Sequence, residues 1–139
     1  MIAPELHLAR LQLADLFLDL LPCGAHTTAS DALWAGLPLV TCRGHAFGGR
    51  VASSLLSAVG LPELITDDLQ AYQALVLRMA RDPSLLAGIR EKLARNRRTM
   101  PLFDTARSRT HIETAFTTIW EISRRGEAPR GFAVMPDGL

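Results

Sequence analysis

The apolar positions change period along the chain, and the changes mark its elements. Glu5 to Gln12 places Leu6, Ala9 and then Leu13 on one side, at helical spacing. Leu13 to Leu20 is a dense apolar run that predicts a buried strand, with Asp15 and Asp19 leaving its ends exposed. Thr27 to Ala35 predicts a short helix. Gly36 suits the left-handed position after it, and Pro38 blocks its continuation. Pro38 to Cys42 predicts a second buried strand. A glycine-rich loop, Arg43-Gly44-His45-Ala46-Phe47-Gly48-Gly49, precedes a helix with Val51, Leu55 and Val59 at i, i+4 and i+8, ended by Gly60.

The second half of the chain reads mostly as helix. Leu64-Ile65 predicts a short edge strand. Asp67 and Gln70 form a capping-box spacing before Leu69, Tyr72, Val76 and Met79. Asp82-Pro83 opens another helix, with proline at its first position and Leu85, Leu86, Ile89 and Leu93 on its buried side. Pro101 to Thr105 is a loop. A last helix from about Ala106 to Arg125 carries Ile112, Phe116, Ile119 and Trp120 in one stripe, and Gly126 ends it. Trp34 and Trp120 are expected in the core. No repeat at the 34-residue tetratricopeptide period is visible. The order is β-α-β-α and then helix, as in the second half of a Rossmann-type domain. Two or three parallel strands make a poor sheet alone, because parallel strands need both faces covered.

Composition narrows the class. The 139 residues suffice for one core, and 48% hydrophobic with 21% charged residues is ordinary for a globular protein. A net charge of +1 argues against general nucleic-acid binding. The clusters Arg95-Asn96-Arg97-Arg98 and Arg124-Arg125 read as solvated helix ends, where bases offset the dipole. Cys23 and Cys42 make no disulfide framework, and each is expected as a buried free thiol. No CxxC, HExxH or carboxylate cluster suggests a metal. Met1 to Glu5 shows no secretory signal and no run approaches a membrane span, so the expected location is the cytoplasm, with no membrane partner.

The densest chemistry lies at His26-Thr27-Thr28-Ala29-Ser30-Asp31. A strand that feeds a helix through a short polar turn aims free backbone N–H groups, and the positive end of the helix dipole, at one point. Such a point favours phosphate. Thr27, Thr28 and His26 add donors there. Asp31 faces the same way, at i+4 from Thr27 and i+3 from Thr28. A carboxylate repels phosphate but accepts from ribose hydroxyls, so the group suggests a nucleotide. The same residue types also make ordinary helix caps, and the glycine-rich loop serves equally as a plain connector.

The string Gly24-Ala25-His26-Thr27-Thr28-Ala29-Ser30-Asp31-Ala32-Leu33-Trp34-Ala35-Gly36-Leu37-Pro38-Leu39-Val40-Thr41 resembles the catalytic region of the protein O-GlcNAc transferase and SPINDLY-like family, in its carboxyl-terminal half. The resemblance continues through Gly48-Gly49-Arg50-Val51-Ala52-Ser53-Ser54-Leu55-Leu56, Gly60 to Ile65 and Pro101 to Thr105. It runs from about His7 to Val134 and looks closest to bacterial members carrying tetratricopeptide repeats. It implies an α/β fold: a partial Rossmann-like domain, equivalent to the carboxyl-terminal half of a GT-B glycosyltransferase, followed by carboxyl-terminal helices. Residues 1–126 would form this nucleotide-sugar-binding part and 127–139 a mobile tail.

The resemblance also implies a chemistry: transfer of a sugar from UDP-GlcNAc or a related UDP-sugar to protein Ser or Thr hydroxyls, with no metal and no other cofactor. By matching positions, His26, Thr27 and Thr28 would contact the donor diphosphate, Asp31 the ribose, and His7 the region of the uracil. No residue is assigned as catalytic. The family's preceding catalytic half is absent from this chain, with the lysine that neutralises the departing diphosphate; Arg43 and Arg50 do not occupy that lysine's position. Gly24 stands where the family often has Asn, and the segment before His7 is shortened. His45 and His111 match nothing assignable. The partners implied are a UDP-sugar, an acceptor protein through the missing half, and a complementary chain. A non-catalytic nucleotide-sugar-binding or interaction module, and a decayed fragment without ligand, remain the alternatives.

Overall fold

The computed structural model describes residues 3–135. The chain divides into two compact units, Met1–Phe103 and Asp104–Leu139.

The first unit opens with α1 (Pro4–Leu11), which begins on a proline at its first turn. Its end unwinds through turn bonds rather than entering a strand: Leu13 N–H donates to Arg10 O at 3.1 Å and Ala14 N–H to Leu11 O at 3.3 Å. Arg90 then holds the carbonyls of Ala14 and Asp15 and the Asp15 carboxylate, at 3.0, 3.2 and 3.0 Å. Strand β1 is therefore only Phe17–Leu18, shorter than the apolar run suggested, and Leu13 is 87% exposed. Asp19 ends the strand but is buried, against expectation.

The next elements follow the sequence closely. Helix α2 spans Thr27–Ala35 and ends on Gly36 at φ 88°. Gly36 N–H donates to Leu33 O and Leu37 N–H to Ala32 O, closing the carboxyl-terminal end. Arg97 adds a 2.6 Å bond to Trp34 O, a cation on the last turn of α2. Strand β2 (Leu39–Cys42) is buried at every position. It pairs in parallel with β1, Phe17 opposite Leu39, and with β3 (Ile65–Thr66), Thr41 opposite Ile65. The sheet order is β1-β2-β3.

Helix α3 (Val51–Ala58) links β2 to β3, and Gly60 turns the chain at φ 73°. Helix α4 (Leu69–Arg81) is capped by Asp68, which accepts from Ala71 N–H, and not by Asp67. Asp67 is drawn instead to the Arg43 guanidinium. Helix α5 (Pro83–Asn96) starts as the sequence indicates: Asp82 caps it by accepting from Ser84 and Leu85 N–H. Leu33, Leu39, Val40, Leu56, Leu61, Leu64, Met79 and Leu93 fill the core between sheet and helices. A short 3-10 turn, Pro101–Phe103, closes the unit.

The second unit is α6 (Thr105–Arg124), capped by Asp104 through Arg107 N–H, with Gly126 beyond it at φ 69°. Its apolar stripe, Ile112, Phe116, Ile119 and Trp120, lies at the surface. Trp120 is 68% exposed and Trp34 51%, so neither is a core residue; Trp34 packs edge-on against Phe103 instead. Position on a helical stripe orients a side chain but does not supply a neighbour to cover it. Cys42 is buried, whereas Cys23, expected buried, is exposed. Part of the expected mobile tail, 136–139, lies outside the described residues.

Candidate functional site

The carboxyl ends of β1 and β2 open into two loops that close on each other. Gly24 N–H donates to Gly48 O at 2.9 Å, and Gly44 N–H donates to Gly49 O at 2.8 Å. A Cβ on Gly49 would stand 3.1 Å from both Gly44 Cα and Pro22 O, so this approach depends on glycine. The glycine-rich loop thus packs closely against the loop that follows β1. His26 joins it: the ring stands edge-on to Phe47 with centroids 6.0 Å apart, and Nε2 lies 3.2 Å from Gly48 O. A carbonyl only accepts, so Nε2 carries the hydrogen and donates.

His26 occupies the N-cap of α2 without a side-chain cap bond. Helices α4, α5 and α6 each begin on a capping aspartate. In α2 the first intrahelical bond from this cap is Ser30 N–H to His26 O, 3.1 Å. The amides of Thr27, Thr28 and Ala29 precede it and have no carbonyl a turn earlier to receive them. Both threonines are exposed at this end. The cap reading of this motif therefore fails at α2, and the helix start is open to an anion.

One turn along, Asp31 meets α1. His7 Nε2 lies 3.2 Å from Asp31 Oδ2, and Arg10 NH2 lies 2.9 Å from His7 Nδ1. Arginine only donates, so Nδ1 is the acceptor and Nε2 carries the proton. His7 thus donates to Asp31 while receiving from Arg10. Asp31 and His7 are both half-buried. The structure thus brings His7 and Asp31 into contact across 24 residues of sequence and sets His26 against the glycine loop, with Thr27 and Thr28 on the turn between. Arg10 was missed by the sequence reading. Its only sequence signal was i+3 spacing from His7 on a helix.

The two arginines near the loop are both engaged. Arg43 donates through Nε and NH2 to Asp67 Oδ1 at 2.9 and 2.6 Å, and Arg50 NH1 to Gly44 O at 3.3 Å. They line an open cleft of about 560 Å³ with Phe47, Ser53, Ser54 and Ser57, which includes none of the five candidate residues. His45 is exposed and His111 half-buried. Among the described residues no group of three or more His, Cys, Asp or Glu converges as a metal site, and no helix is long and apolar enough to cross a membrane.

A parallel sheet whose carboxyl ends carry a glycine-walled, uncapped helix start is a Rossmann-type arrangement, and this fold resembles the carboxyl-terminal half of a GT-B glycosyltransferase. Residues 1–112 match glycosyl transferase family 41, and the chain belongs to that family. The probable UDP-N-acetylglucosamine–peptide N-acetylglucosaminyltransferase SEC of Arabidopsis thaliana is 35% identical over 134 residues, covering 96% of this chain and 14% of that protein. The UDP-N-acetylglucosamine–peptide N-acetylglucosaminyltransferase of Caenorhabditis elegans is 38% identical over 119 residues, covering 86% of this chain and 10% of its own length. A solved structure of a mutant O-GlcNAc transferase from Thermobaculum terrenum superposes with a TM-score of 0.83 at 35% identity, over 92% of this chain and 24% of that one. The chain therefore spans a quarter or less of each of these relatives.

Proposed function

We propose that this chain is the donor-binding part of a protein O-GlcNAc transferase-like enzyme, one that moves a sugar from a UDP-sugar to a Ser or Thr hydroxyl of a protein. The observation that carries this reading is the uncapped start of α2 beside the His7–Asp31 pair. Thr27, Thr28 and the first amides of α2 receive the diphosphate, and the ring of His26 helps shape that wall. Asp31 keeps one carboxylate oxygen for the ribose while His7 occupies the other. His7 and Arg10 on α1 border the space for the uracil. Protein donors, not a metal, hold the diphosphate in this scheme.

The chain alone is inactive in transfer on this reading. A departing diphosphate gains negative charge and needs a cation at hand. Arg43 and Arg50 are held by Asp67 and Gly44. Among the described residues no strand pairs with the outer edge of β1, and Leu18, Leu20 and Leu21, in or just after it, are exposed. Such a surface suits a part completed by further polypeptide, supplying the acceptor groove, more than a self-contained binding module.

Calorimetric titration of the full chain with UDP, and with GDP for comparison, tests the reading. Selective UDP binding that disappears in Asp31→Ala and in Thr27→Val/Thr28→Val supports it. A folded sample that binds neither nucleotide overturns the view that the donor site is complete in this chain.

A further inference from the structure

The loop that delivers His26, Thr27 and Thr28 to the site is seven residues of irregular chain, Asp19 to Ala25, and one buried carboxylate sits beneath it. Asp19 is 7% exposed, at the carboxyl end of β1. Its Oδ1 accepts from Ala25 N–H at 2.7 Å and from Leu20 N–H at 3.0 Å. Its Oδ2 accepts from the Thr41 hydroxyl at 2.7 Å. Gly24 rests against it so closely that a Cβ there would stand 2.9 Å from Oδ2. Its own N–H is fixed to Val40 O and its own carbonyl receives the Tyr72 hydroxyl, at 3.1 and 2.9 Å.

A buried carboxylate is costly unless its oxygens are satisfied. Here three donors satisfy it. Two of them are the backbone amides at the two ends of the loop, and the third is a hydroxyl on the central strand. Ala25 is the residue before the N-cap of α2, so the Oδ1 bond sets where the helix start begins. Apart from this carboxylate, the Asp19 backbone bonds to Val40 and Tyr72, and the Gly24–Gly48 bond, the loop's described bonds are local. The carboxylate is buried and its oxygens are taken by these three donors, so it is not placed to bind the diphosphate itself.

We propose that Asp19 is the positioning residue of the phosphate-binding turn: it anchors the loop at both ends and thereby aims the amides and hydroxyls of Thr27 and Thr28. This rests on the donor-binding reading above. It assigns Asp19 no contact with the base or the ribose, which His7 and Asp31 govern. Loss of the charge therefore weakens binding of the diphosphate-bearing ligand and leaves the nucleoside alone.

The test compares UDP with uridine on the full chain and on Asp19→Asn, each variant first checked for an intact melting transition. Replacing a charged acceptor by a neutral one removes part of a charge-assisted bond, so UDP affinity is expected to fall about tenfold while uridine affinity stays within about twofold. Thr41→Val provides an independent variant that keeps the carboxylate but removes the hydroxyl that orients it. It is expected to weaken UDP about threefold, again sparing uridine, and it decides the matter should Asp19→Asn not fold. Equal losses for UDP and uridine would reduce Asp19 to general scaffolding and overturn the proposal. So would UDP affinity unchanged in the variants. A folded wild-type chain that binds no UDP would instead overturn the donor reading, and this proposal with it.

Discussion

Tyr72 is the one tyrosine of the chain, so its phenol can be followed without overlap from another tyrosine. Burial pushes its pKa above the ordinary value, the nearby charge of Asp19 pushes it further, and Cys42 adds to the same direction. Its hydroxyl donates to Asp19 O at 2.9 Å. Tyr72→Phe removes that bond from the carbonyl of the buried Asp19. The loss is about 1 kcal/mol, at the lower end for an unsatisfied acceptor. For a unit of this size that lowers the melting midpoint by roughly 4–8 °C. A group whose folded pKa is raised contributes stability that is present below its unfolded pKa and lost as pH rises through the folded one. The gap between wild type and Tyr72→Phe is therefore widest at neutral pH and narrows above about pH 10. Tyrosinate absorbance against pH, with melting curves at matched pH, reads both effects. Asp19→Asn, by removing the second cause, brings the phenol midpoint down. A midpoint at or below that of free tyrosine in the folded protein, or a midpoint unmoved by Asp19→Asn, would refute the contact and the charge argument built on it.

Three further outcomes are expected. Leu33 is fully buried on α2, and Leu33→Ala should cost about 3 kcal/mol in urea unfolding without changing the slope; a loss below about 1 kcal/mol would mean that α2 is not packed as described. Gly60 sits at φ 73° with Asn96 Nδ2 only 2.8 Å from where a Cβ would stand, so Gly60→Ala should destabilise by more than about 1 kcal/mol, read as a lowered denaturation midpoint. The hydrogen bond from Ser84 and the amide of Leu85 hold the Asp82 carboxyl below its usual range. The contribution of that cap is present above the unfolded carboxyl pKa and is lost as pH falls through the folded value. A carbon-detected titration of Asp82 should accordingly give a midpoint below that of a free aspartate, and Asp82→Ala should remove the matching acid-induced fraying at the start of α5.

Much of this architecture was legible because local chemistry decides it. The limits of α2 follow from a polar turn, a helical run and Gly36, all within ten residues. The start of α5 follows from Asp82 and Pro83 alone. The strand Leu13 to Leu20 was misjudged because an apolar run does not reveal that its first residues finish a helix and are then held by Arg90, 75 residues away. The capping box at Asp67 failed for a similar reason: Arg43 claims that carboxylate, and Asp68 takes its place. At the site, five residues were visible as a motif or through family resemblance. Arg10 and Asp19 were not, because their significance arises from partners brought together only by the fold. Asp19 even looked like a solvent-facing strand end, since a charge in an apolar run is normally outside.

The Thr41 hydroxyl donates to Asp19, just past the end of β1, and its carbonyl accepts from the Thr66 hydroxyl on β3, so one residue of the fully buried β2 joins side chains from both sides of the sheet. The Asp19 to Ala25 loop and the centre of the sheet are therefore one cooperative unit. In hydrogen-exchange terms, the Ala25 amide should open only with the strand amides of β2, at the rate of global unfolding and not of loop fraying. On the proposed donor-binding reading, a motion that admits or releases the ligand comes from the Gly44–Gly49 loop, while the start of α2 stays fixed.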